Sequence, residues 1–101
     1  MALSSSIHAA MEKNVEEFLR KVPIDEILNK LRFRHILSPV QVNNIKKIDN
    51  QADKNTELYD ILLSERNDED FYKFCDLLKE SNVRAVKRFA DKLRLDSQGI
   101  E

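Results

Sequence analysis

With 101 residues, 42% apolar, 35% charged and a net charge of −1, the chain suits one small domain with a single core and a charged surface. One glycine and two prolines argue against an all-β protein rich in tight turns, and for helices joined by short polar loops. The near-zero total charge gives no general attraction to nucleic acid or acidic membranes, and no stretch approaches the ~20 apolar residues of a membrane span.

The opening "MALSSSIHAAMEK" lacks the continuous apolar segment of a signal peptide. Residues 1–7 read as a flexible lead, with one of Ser4 to Ser6 as a helix cap. Met11, Val15, Phe18, Leu19 and Val22 form one helical stripe, which Pro23 closes. Pro23 also suits the first turn of helix 2, whose inward set is Ile24, Ile27, Leu28 and Leu31. In "RHILSPVQVNNI" the pair Ile36-Leu37 is expected to be buried, Ser38 to cap helix 3 and Pro39 to open it. Val42, Ile45 and Ile48 give helix 3 its apolar face, and "DNQADKN" reads as the loop after it. Helix 4 is expected to start at Asn55 or Thr56 and to bury Leu58, Ile61 and Leu62. Asn67 or Asp68 then caps helix 5, with Phe71, Phe74, Cys75, Leu77 and Leu78 inward. Helix 6 buries Val83, Val86, Phe89, Ala90 and Leu93, and residues 96–101 read as a linker stub. The sum is an all-α, six-helix antiparallel bundle over 8–95.

The motifs of common chemistries are missing. There is no glycine-rich phosphate loop, no HExxH and no CxxC, and His8 and His35 have no patterned ligand nearby. Cys75, the only cysteine, has no disulfide partner within the chain and reads as a small core residue. It also favours a reduced, cytoplasmic setting. Asp68, Glu69 and Asp70 read as a helix start rather than an acid/base pair, and Tyr59 and Tyr72 as packing residues at the core edge. The expectation is a protein that is not an enzyme and needs no cofactor or metal.

The order "FLRKV", "IDEILNKL", "ILSPVQVNNI", "LYDILL", "DFYKFCDLLKES", "AVKRFADKL" resembles the death-fold superfamily, and within it a caspase recruitment domain (CARD). A death effector domain fits less well, because "RLDS" at 94–97 lacks the leucine of that family's Arg-x-Asp-Leu motif. A pyrin domain normally has a reduced third helix, and helix 3 here is well patterned. The chain departs from the CARD pattern at His35, where many members carry glycine. The resemblance implies the Greek-key helical topology of the death fold. It also implies homotypic binding to another CARD, of a caspase, adaptor, kinase or receptor or of the chain itself, in apoptotic or inflammatory signalling. In the family a patch on helices 1 and 4 meets one on helices 2 and 3 of the next molecule, often in helical filaments.

Charge is segregated along the chain. Residues 54–70 carry a local net of −4, residues 30–47 a net of +5 and residues 83–94 a net of +4. The expected acidic patch is Glu16, Glu17, Glu57 and Asp60. The expected basic patch is Lys30, Arg32, Arg34, Lys46 and Lys47, with a second basic face of Arg84, Lys87, Arg88 and Lys92. In well-known CARD pairs the basic surface lies on helices 1 and 4, so the polarity here is reversed. Two rival readings are a structural helical module of a larger protein and a nucleic-acid binder using the basic faces of helices 2 and 6. The second lacks an evident aromatic or Asn/Gln set for reading bases.

Overall fold

Asn14 divides the first expected helix. The stripe from Met11 to Val22 predicts one continuous element, but the backbone breaks at Asn14 (φ −106°, ψ 15°). The computed structural model describes residues 3–98, and among these the chain forms seven helices and no strand. They are α1 (Ser5–Lys13), α2 (Val15–Lys21), α3 (Ile24–Phe33), α4 (Pro39–Lys46), α5 (Gln51–Glu65), α6 (Asp68–Lys79) and α7 (Arg84–Ser97). An asparagine side chain competes with the backbone for helical carbonyls. Here Nδ2 of the buried Asn14 donates to the Ala10 carbonyl at 2.8 Å and to Asp96 Oδ2 on α7 at 2.9 Å. The break lets α1 lie on α7 while α2 packs chiefly on α5. No described helix is long and apolar enough to cross a membrane.

The lead expected over 1–7 belongs to the fold from Leu3 onward, because Leu3 and Ile7 are buried. Ser4 holds the N-cap position of α1 without a side-chain cap bond, and its N–H donates instead to Asp68 Oδ1 at 2.8 Å. At the other end α7 runs to Ser97, whose buried side chain donates to the Arg94 carbonyl. The rest of the expected linker, from Gly99 on, lies outside the described residues.

The core gathers around Phe18. Its ring meets Tyr59 of α5 edge-on at 5.3 Å, stacks on Phe74 of α6 at 5.6 Å and meets Phe89 of α7 at 6.3 Å. The inward sets expected for helices 2, 4 and 5 are all buried. Val15, Leu19 and Ile48 lie half-buried at the rim. Val83 departs from expectation: it is the N-cap of α7 and is exposed, because α7 begins one residue later.

The turn from α3 to α4 is built by backbone bonds. Ile36 N–H donates to the Leu31 carbonyl and His35 N–H to the Arg32 carbonyl, the paired closure that requires a left-handed residue after the helix. His35 is that residue, with φ 62°. The bonds turn Ile36 and Leu37 into the core. Ser38 then caps α4 in a reciprocal pair with Gln41, and Pro39 occupies the first turn. Replacing His35 by glycine removes the Cβ clash of the left-handed region, partly offset by the added freedom of the unfolded chain. His35→Gly is expected to stabilise the fold by about 0.5–1 kcal/mol, and His35→Val to destabilise it. Paired urea melts check this, and no gain for glycine would mean that the imidazole makes a compensating contact.

Two further starts differ from expectation. α5 is capped by Asn50, which accepts from Asp53 N–H at 2.8 Å, so "DNQADKN" is its first turns rather than a loop. Asn55, expected as that cap, is buried instead and donates through Nδ2 to the carbonyls of Leu19 and Val22, each at 3.0 Å. Asn67 caps α6 as expected, with Asp70 closing the reciprocal pair.

Candidate docking faces

The charged side chains divide into those neutralised within the molecule and those left over. Lys92 Nζ lies 2.5 Å from Glu17 Oε1 and Lys21 Nζ lies 2.9 Å from Glu17 Oε2. The Lys92 ammonium, and after it Lys21, hold the Glu17 carboxyl down to about 2, and Glu17 in turn raises Lys92. Both residues thus meet a counter-charge within the fold, Lys92 while still exposed. Arg34 does the same, bonding Glu80 Oε1 at 2.6 Å. Lys79–Asp91 and Arg94–Asp76 tie α6 to α7, and Arg94 also lies over the Tyr72 ring at 5.2 Å.

What remains is more sharply sorted than the sequence alone suggests. On α3, α4 and the residue after it, Lys30, Arg32, Lys46 and Lys47 are exposed and form no ion pair among the described residues. On α2 and α5, Glu16, Glu57 and Asp60 are likewise exposed and unpaired among the described residues. Burial is the main cause that raises the Tyr59 hydroxyl, with Glu12 and Asp60 acting in the same direction. Glu12 of α1 is exposed too, but among the described residues it meets His8 at 3.3 Å. On α7, Arg84, Lys87 and Arg88 keep the second basic face without Lys92.

Two features escaped sequence reasoning. Arg66, the residue that ends α5, reaches back to the α3–α4 turn. Its Nε donates to the Ile36 carbonyl at 2.6 Å, and Nη2 donates to Gln41 Oε1 at 2.5 Å. Phe33, at the end of α3, is 74% exposed. It borders a groove of about 860 Å³, shared with Arg32, His35, Pro39, Arg66 and Asp70. The signal for Phe33 was available: it falls off the Ile24, Ile27, Leu28, Leu31 stripe, where an amphipathic helix ordinarily carries a polar residue.

Cys75 is fully buried, and burial pushes its thiol up to about 12. That environment suits a core residue, not a nucleophile. Asp68, Glu69 and Asp70 are engaged by Ser4 N–H, Lys73 and the Asn67 cap respectively. No family model, curated protein or solved structure matches the chain.

Proposed function

We propose that this chain is a non-enzymatic docking domain of CARD type, with the Greek-key bundle of the death fold, acting in the cytoplasm. Its acidic face of Glu16, Glu57 and Asp60 binds the basic face of Lys30, Arg32, Lys46 and Lys47 on a second CARD. The observation that carries this reading is two sets of opposite, exposed charge on one small domain, none of them in an ion pair among the described residues. Two different complementary patches make a head-to-tail contact, which propagates into a ring or an open helix. The α3–α4 turn adds support: a left-handed residue, His35, stands where the family commonly has glycine.

Opposite charges steer assembly and make it salt-sensitive, since the Debye length is only ~8 Å at physiological ionic strength. Glu57→Lys/Asp60→Lys is expected to weaken self-association at least about tenfold by light scattering. Mixing it with Lys30→Glu/Arg32→Glu is expected to restore association. Assembly of the first variant at wild-type strength would show that the acidic face does not dock.

A further inference from the structure

Among the described residues, Phe33 is the largest apolar side chain that the fold leaves in water, at 74% exposure. Isolated exposed aliphatics, such as Val40, are common and need no explanation. Phe33 differs in its setting. It lies beside Arg32, opens onto the groove at the α3–α4 turn and shares a helix with Lys30. It contributes nothing to the buried stripe of α3, and phenylalanine is a weaker helix former than the lysine or glutamate that would suit the site.

We propose that Phe33 is the apolar anchor of the basic face, and that its occupant is the acidic face of a second copy of this chain. The inference rests on the docking reading above and adds the residue that would dominate its energetics. Charge complementarity selects the occupant. Phe33 stands among Lys30 and Arg32, while the acidic face has half-buried apolar ground in Val15 and Leu19 of α2, the helix of Glu16. Tyr59, beside Asp60 in sequence on α5, is a core residue of the same helix as Glu57. Aromatic residues ringed by charge are the usual dominant contacts of protein interfaces, with the polar rim excluding water.

The test compares self-association by sedimentation velocity for wild type, Phe33→Ala, Phe33→Tyr and Glu57→Lys/Asp60→Lys, each at low and physiological salt. Phe33→Ala is expected to fold normally, as an exposed side chain should. It is expected to associate at least about tenfold more weakly with the salt slope of wild type, because it changes no charge. Phe33→Tyr is expected to retain most of the association. The charge variant instead flattens the salt slope. Wild-type association by Phe33→Ala, with loss in the charge variant, overturns the anchor and leaves the docking reading standing. Wild-type association by both, or a strictly monomeric wild type, overturns the two together. If Phe33→Ala instead abolishes binding of a labelled single-stranded oligonucleotide and leaves self-association unchanged, Phe33 is a base-stacking residue and the anchor is wrong.

Discussion

Phe18→Ala is expected to destabilise the domain by about 3–5 kcal/mol, the usual cost of emptying a buried phenylalanine site. A domain of this size has only about 5–15 kcal/mol of total stability. The Tm should therefore fall by roughly 12–40 °C, since each kcal/mol moves a domain near this size by about 4–8 °C. The effect belongs at the upper end because Phe18 is shared. Its ring contacts Tyr59, Phe74 and Phe89, so one truncation loosens α5, α6 and α7 against α2 together. Partial collapse of the cavity would require three helices to move toward one another at once. Urea unfolding checks this, and a loss below about 1 kcal/mol would show that the site refills, so that Phe18 does not organise the core.

The second large effect concerns a hydrogen bond that proline makes necessary. In a continuing helix the Leu19 carbonyl would accept from residue 23, but that residue is Pro23, which has no N–H. Asn55 Nδ2 supplies the missing donor from across the α2–α5 contact. The Val22 carbonyl is better served, accepting from Ile24 N–H, Gln51 Nε2 and Asn55. Asn55→Ala is thus expected to cost about 2 kcal/mol, mainly through an orphaned Leu19 carbonyl. The figure is held down because Asn55 Oδ1 is itself buried without a partner. Gln51→Ala should cost less than about 1 kcal/mol, because Val22 keeps its other donors. Equal losses for the two variants in urea melts would place the effect in helix propensity rather than at Leu19.

These cases show what was legible beforehand. Apolar periodicity identified nearly every buried side chain because burial of one helix face is a local pattern. It passed over Asn14 because the stripe from Met11 to Val22 runs unbroken through the kink. It misplaced the start of α5 because Asn50 and Asn55 are both plausible caps, and only the tertiary contact distinguishes them. The charged faces were legible as composition. Their pairing was not, since Glu17 finds Lys92 across 75 residues and Arg34 finds Glu80 across 46. The faces proposed to dock are what is left after those distant partners are removed.

The contacts of α1 and α6 with α7 also fix where the two ends of the folded segment sit. Lys79–Asp91 and Arg94–Asp76 set α6 and α7 antiparallel, so the first residues of α6 lie beside the last residues of α7. Ser4, at the start of α1, is bonded to Asp68 at the start of α6, and Asn14, at the other end of α1, reaches Asp96. The backbone at Ser4 is thus pinned beside the start of α6. The connection between α6 and α7, Glu80–Val83, marks the opposite pole. In an assembly of many copies, the end pinned at Ser4 would hold the same position on every subunit.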